Sequence, residues 1–117
     1  MVRLVAVFGD VVIGTECGAG ATALGGQSTA QLAGFLPGPS PQASVYINDI
    51  LVHLDGHMNS VHTIGPPLCA ATHFATLKAT SKTVWIDNLN VGRDLDLYPG
   101  CTGVVKAGLQ TTVFAGD

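Results

Sequence analysis

Ser44-Val45-Tyr46-Ile47-Asn48-Asp49-Ile50-Leu51-Val52 and Thr83-Val84-Trp85-Ile86-Asp87-Asn88-Leu89-Asn90-Val91 stand in register. Each begins with a small hydroxyl residue, then Val, an aromatic and Ile. An Asn/Asp pair follows, and a second apolar run ends in Val. β-Branched and aromatic residues favour strands. Asn and Asp tolerate the positive φ that a two-residue hairpin turn demands. The unit is therefore a β-hairpin. Thr112-Val113-Phe114-Ala115-Gly116-Asp117 is a shortened third copy. The opening Leu4-Val5-Ala6-Val7-Phe8-Gly9-Asp10 looks like the second half of the same unit. Its Val5 matches Val52 and Val91, and its Gly9-Asp10 matches Gly56-His57 and Leu95-Asp96.

Three hairpin-like units in 117 residues predict an all-β fold with pseudo-threefold symmetry, in a single domain over 1–117. A lone hairpin is marginal in water. Together the units can share a core of Val5, Val7, Val45, Ile47, Val52, Val84, Ile86, Val91 and Val113. The competing arrangement is a plain two-sheet sandwich. Between the hairpins, segments 11–43, 58–81 and 97–111 are rich in Gly, Pro, Ala and Thr and read as long loops. No 3.6-residue periodicity is sustained. The best helical stretch, Ser28-Thr29-Ala30-Gln31-Leu32-Ala33, stops at Gly34.

Charged residues make up only 11% of the chain, with Lys+Arg 5 against Asp+Glu 8 and a net charge of -3. That balance excludes a solvated disordered tail and argues against a nucleic-acid binder. The apolar N-terminal stretch is too short for a signal peptide, so synthesis in the cytoplasm is expected. No Gly-x-Ser-x-Gly elbow, phosphate-binding loop or carboxylate pair stands out, so the chain is read as a non-enzyme without a small-molecule substrate.

The soft and borderline metal ligands sit mainly between hairpins. Cys17 lies in the first segment, His57, His62, Cys69 and His73 in or beside the second, and Cys101 in the third. Zinc favours four such ligands, and two thiolates with two imidazoles are a common set. The spacing is not that of a zinc finger. Buried free cysteines with ordinary loop histidines, or a Cys17–Cys101 disulfide, are the competing readings.

Taken in order, the Ser44–His53 hairpin, Gly56, His62, His73, the Thr83–Ile86 strand, the Gly100-Cys101-Thr102-Gly103 turn and the final Thr112-Val113-Phe114 strand resemble the PAAR-repeat proteins. These are the pointed tips of contractile injection machines: type VI secretion spikes, phage tail spikes and extracellular contractile particles. The resemblance spans nearly the whole chain, with an apparent insertion near 18–40. It implies a small cone of β-hairpins whose loops converge on an apex that holds a metal, usually zinc, with iron conceivable.

By position, His62 and His73 match the family's two middle histidines and Cys101 its cysteine. Where the family has a first histidine, this chain has Thr15-Glu16-Cys17. Cys17 is the natural replacement, with Cys69, His57 and Glu16 in reserve. The Pro-Ala-Ala-Arg signature itself is replaced by Ile50-Leu51-Val52-His53 and Leu89-Asn90-Val91-Gly92. His53, at the signature's end, is expected to be structural or exposed rather than a ligand.

The resemblance further implies a partner: a trimeric spike of the valine-glycine-repeat or phage tail-spike type, capped by one tip per trimer, with a target membrane met transiently. Val45, Val84 and Val113, with the adjacent Trp85, Tyr46 and Phe114, are the candidates for that face. A free-standing small metal-binding or carrier protein is the rival function.

Overall fold

The computed structural model describes residues 2–14, 20–25, 45–60, 62–64, 68, 71–100 and 102–117. Among them the chain is all-β, built of short antiparallel sheets and without a helix. The strands are β1 Arg3–Leu4, β2 Val11–Gly14, β3 Gly20–Leu24, β4 Tyr46–Ile47, β5 Ile50–Leu51, β6 His62–Ile64, β7 Ala71–His73, β8 Trp85–Ile86, β9 Leu89–Asn90, β10 Val104–Lys106 and β11 Phe114–Ala115.

The two quoted hairpins form as the sequence predicts. β4 pairs with β5 and β8 with β9. Their turn residues take positive φ at both central positions: Asn48 50° and Asp49 66°, Asp87 51° and Asn88 65°. That geometry matches the right-handed twist of the flanking strands. The third hairpin is assembled from the two ends of the chain. β1 pairs with β11, with Arg3 opposite Ala115 and Leu4 opposite Phe114. The opening half-unit and the closing short copy are thus two strands of one repeat.

The three units close on one another through a cycle of backbone hydrogen bonds. His53 N–H donates to the Ala6 carbonyl (3.0 Å), Gly92 N–H to that of His53 (2.7 Å), and Ala6 N–H to that of Gly92 (2.9 Å). A second set links each unit to the next: Phe8 to Leu51, Asp55 to Asn90 and Asp94 to Leu4, each 2.8 Å. The bridges Val7–Val52, Leu54–Val91 and Val5–Arg93 repeat the pattern. Gly92 lets the strands approach closely at its place in the cycle. A Cβ there would lie 2.7 Å from Leu77 Cδ2 and 3.0 Å from the His53 carbonyl oxygen.

Each unit then turns sharply and is locked by the side chain three residues on. Val7 N–H donates to Asp10 Oδ2 (2.7 Å), Leu54 N–H to His57 Nδ1 (2.9 Å), and Arg93 N–H to Asp96 Oδ2 (2.9 Å). The residue before the locking side chain is left-handed in all three: Gly9 at φ 88°, Gly56 at 82° and Leu95 at 70°. Only the third puts a side chain there, and Leu95 is exposed. Left-handed backbone is costly for a branched residue. Leu95→Gly is therefore expected to stabilise the chain by ~1 kcal/mol, a rise of roughly 4 °C in Tm. A thermal melt of the variant checks this, and a lower Tm would overturn it.

The core has two parts. Val5, Val52, Leu54, Val91 and Ala115 pack about the hairpins, with Val45, Ile47 and Ile86 partly buried against them. Ala6, Val12, Ala75, Leu77, Ala79, Tyr98 and Val105 form the other. Val7 is also buried, whereas Val84 and Val113 are exposed. Those two were expected in the core. They instead line an apolar depression of about 150 Å³ with Val5, Val45, Ile47, Val52, Ile86 and Val91.

The inter-hairpin segments are not plain loops. Each leaves the ring as an antiparallel excursion and returns at Gly25, Leu77 or Val105. Gly25 N–H donates to the Asp10 carbonyl (2.9 Å), Leu77 N–H to that of His57 (2.8 Å), and Val105 N–H to that of Asp96 (2.9 Å). β2–β3, β6–β7 and the Leu97–Val104 bridge lie within these excursions. Their Gly, Ala and Thr content hides the alternation by which strands are normally recognised. The expected helix at 28–33 and most of the insertion 18–40 lie outside the described residues.

Candidate metal centre

The second excursion puts two histidines directly opposite each other. In the β6–β7 ladder His62 pairs with His73, Thr63 with Thr72 and Ile64 with Ala71. In a two-stranded ladder, directly opposed side chains project to the same face. The imidazoles meet at 4.5 Å between centroids with 73° between planes. Their Nε2 atoms are 2.9 Å apart. His62 is buried and His73 half-buried.

The His62 tautomer follows from its other nitrogen. Nδ1 lies 2.8 Å from the Ser60 carbonyl oxygen. A carbonyl only accepts, so Nδ1 carries the proton and donates it. Nε2 then holds a lone pair directed at His73. His73 Nε2–H donates to it. With a cation in place of that proton, two neutral imidazoles would face one ion. Tetrahedral zinc, at 2.0–2.1 Å per nitrogen, spaces two such atoms roughly 3.3 Å apart, so a small opening of the pair is enough. A backbone carbonyl on the distal nitrogen is also the usual way a ligating imidazole is oriented.

The cysteines that would complete the set, Cys17 and Cys101, and the reserve Cys69, lie outside the described residues, as does Glu16. Their nearest described neighbours are close to one another. A Cβ on Gly14, the end of β2, would lie 2.8 Å from Thr102 Oγ1. A Cβ on Gly100 would lie 3.2 Å from the Ala75 Cβ, two residues beyond His73. β2 pairs with β10, and β3 runs beside β6. The three excursions that carry Cys17, the His62–His73 pair and Cys101 are therefore neighbours. Among the described residues alone, no three His, Cys, Asp or Glu side chains come together in a way that could hold a metal ion.

Two other histidines belong to the ring. His53 is fully buried and its Nε2 is 2.8 Å from the Tyr98 hydroxyl. It stacks on His57 with centroids 5.8 Å apart and planes within 8°. Burial, with the His57 charge second, lowers the His53 imidazole to about 3. Burial lowers His57 to about 4, against a smaller opposing pull from Asp55. Both are neutral over the ordinary pH range. His53 is structural, one of the two outcomes expected for it. His57, a reserve ligand in the sequence, is committed through Nδ1 to its own turn. Nothing in the spacing signalled Tyr98 as the partner of His53, because the contact spans 45 residues.

The residues expected to meet a partner sit at the hairpins. Val45, Val84 and Val113 are equivalent: each carbonyl accepts from the valine opposite, Val52, Val91 and Val5, at 3.2, 3.1 and 3.0 Å. The aromatics that follow them are exposed to nearly the same degree: Tyr46 55%, Trp85 55% and Phe114 54%. Strand alternation puts these rings on the face opposite the depression's valines. No family model matches the chain, and a search of curated proteins returns no match.

Proposed function

We propose that this chain is a structural tip of the PAAR-repeat kind. It caps the blunt end of a trimeric β-helical spike in a contractile injection machine. The observation that carries this reading is the closed cycle of Ala6, His53 and Gly92 with one apolar depression lined by residues from all three units. Val45, Val84 and Val113 present one surface three times over, above the buried Val5, Val52 and Val91 at the floor of the depression. A face with approximate threefold symmetry suits three identical chain ends, one tip per trimer. None of the lining residues is charged or polar. Such a patch is the chemistry of an interface core.

In this reading the excursions form the narrow end of a cone, and zinc joins them there. His62 and His73 would hold the ion with Cys17 and Cys101. When bound, the ion supplies a closed four-ligand cross-link among the three excursions, beyond the apolar cluster of Val12, Ala75, Leu77, Tyr98 and Val105. Ser60 fixes the His62 ring, and the β6–β7 ladder fixes the spacing of the pair. The chain is read as a piercing body that meets a membrane transiently and as no enzyme.

The test is a mixing experiment with a trimeric β-helical spike from the same contractile system, read by light scattering after size exclusion. One chain per trimer is expected. Val84→Asp and Val113→Asp together should weaken the complex at least 30-fold, about 2 kcal/mol, since a charge then enters the apolar centre. Both side chains are exposed in the free chain, so folding should be spared. A chain that stays monomeric with its spike and yields its metal to a weak chelator would overturn the reading in favour of a carrier.

A further inference from the structure

The three locked turns provide a comparison within one molecule. At each, a backbone N–H is held by an acceptor three residues on: Asp10 for Val7, Asp96 for Arg93, His57 for Leu54. Two acceptors are carboxylates. The third is an imidazole nitrogen, which accepts only while it carries no proton. We propose that His57 is an acid-sensitive latch: its protonation breaks the turn that seats the second excursion and leaves the two carboxylate-locked turns closed.

The geometry makes the latch depend on a single proton. Nδ1 accepts from Leu54 N–H, so the neutral ring carries its proton on Nε2. Nε2 is buried and has no hydrogen-bond partner among the described residues. A second proton would have to enter at Nδ1, where Leu54 N–H already points. The protonated ring therefore leaves the turn rather than rearranging in it. The titratable groups facing His57 are Asp55 on its own turn and His53 stacked against it. Asp55 Oδ1 accepts from Ala79 N–H, and His53 meets the Tyr98 hydroxyl from the third excursion. Gly25 closes over His53 and Tyr98 from the end of the first.

His57 also governs where the excursion begins and ends. Its N–H donates to the Leu54 carbonyl, and its own carbonyl accepts from Leu77 N–H. The segment between 57 and 77 carries His62 and His73. Opening the latch thus loosens the segment with the opposed pair, while the cycle through Ala6, His53 and Gly92 is made by backbone groups alone. The latch itself does not depend on what the tip caps.

The sign follows from linkage. Closed, the His57 imidazole is held at about 4 instead of the usual 6.5, so the open form binds more protons between those values. Closure is complete above pH 6.5 and weakens as the pH falls toward 4. At pH 4.5 the open form is favoured roughly 50-fold more than at pH 7.

Hydrogen exchange at single amides of the full-length chain, as purified, tests this at pH 7 and pH 4.5. After correction for intrinsic rates, protection of the Leu54 amide should fall at least tenfold more than that of Val7 and Arg93. In His57→Asn, whose amide oxygen can accept from Leu54 without titrating, the three amides should change together. His57→Asp copies the other two locks and serves the same purpose if the Asn variant does not fold. Wild-type Leu54 tracking Val7 and Arg93 would overturn the proposal. So would a selective Leu54 loss that persists in either variant. Because metal loss at low pH acts on wild type and variants alike, their difference isolates the latch.

Discussion

Elemental analysis of the purified chain is expected to find close to one zinc per chain. Cys17→Ser, His62→Ala, His73→Ala and Cys101→Ser should each remove it and lower Tm by more than about 10 °C. The size follows from what the excursions lack. Their strands run to only three to five residues, and β3 is Gly-Ala-Thr-Ala-Leu. Among the described residues the excursions share the core formed by Val12, Ala75, Leu77, Tyr98 and Val105, to which a structural zinc can add on the order of 10 kcal/mol of apparent free energy that is also folding free energy. The His62–His73 pair is the part already in place, with Nε2 atoms 2.9 Å apart and the His62 proton held on Nδ1 by Ser60. Ser60→Pro would leave that carbonyl in place, so it is no test. His73→Phe is a sharper one: it keeps the aromatic bulk and removes the nitrogen. Loss of zinc in His73→Phe with retention in His57→Asn would place the ion at the opposed pair. Iron in place of zinc would change the metal and keep the site. A metal-free wild type that is stably folded would sink the ligand assignment and leave the ring untouched.

The hairpins were legible because each lies within nine consecutive residues and carries its own turn. Val-aromatic-Ile before Asn-Asp or Asp-Asn says strand, turn and return without reference to the rest of the chain. The matching of Gly9-Asp10, Gly56-His57 and Leu95-Asp96 was legible for the same reason, and it proves to mark three equivalent locks. His62 and His73 could be named from the resemblance, but their opposition depends on the β6–β7 register, which eleven residues of separation do not reveal.

The rest was hidden by distance or by composition. β3 is Gly-Ala-Thr-Ala-Leu and carries no apolar alternation, while β2 (Val-Val-Ile-Gly) and β10 (Val-Val-Lys) are short runs without a local turn pair to mark them, so all three read as loop. Val84 and Val113 looked like core because a valine in a strand usually is. Here the strands end at an open face. Arg93 is fully buried, which nothing in the local sequence signals. A buried guanidinium needs hydrogen-bond acceptors and an opposite charge: Thr80 Oγ1 and the Ala115 carbonyl accept from it, and Asp117 supplies the carboxylate.

That far end decides the second large effect. Deleting Thr112–Asp117 is expected to abolish cooperative folding. The deletion removes β11 and with it the partner of β1. Val5 N–H loses the Val113 carbonyl. The Gln110 amide loses the Thr112 and Val113 N–H groups and the Val113 carbonyl. Arg93 loses the Ala115 carbonyl and the Asp117 carboxylate, 2.9 Å from Nη1. The loss of a whole hairpin with these hydrogen bonds is set against a domain stability that can be as low as ~5 kcal/mol. Circular dichroism and a thermal melt read this directly. Such a loss could also be the ordinary consequence of cutting any strand, so a permuted chain gives the decisive comparison. Joining Asp117 to Met1 and opening the chain between Asn48 and Asp49 moves the break from one hairpin to its equivalent. The new loop between Ala115 and Arg3 is four residues, Gly116-Asp117-Met1-Val2, a length hairpins accept. If the ring is a true threefold cycle, the permuted chain folds with the wild-type spectrum and the Val7, Leu54 and Arg93 amides stay protected. If the permuted chain is as unfolded as the truncated one, the three hairpins are not interchangeable, and the symmetry on which the trimer-capping reading rests is lost with them.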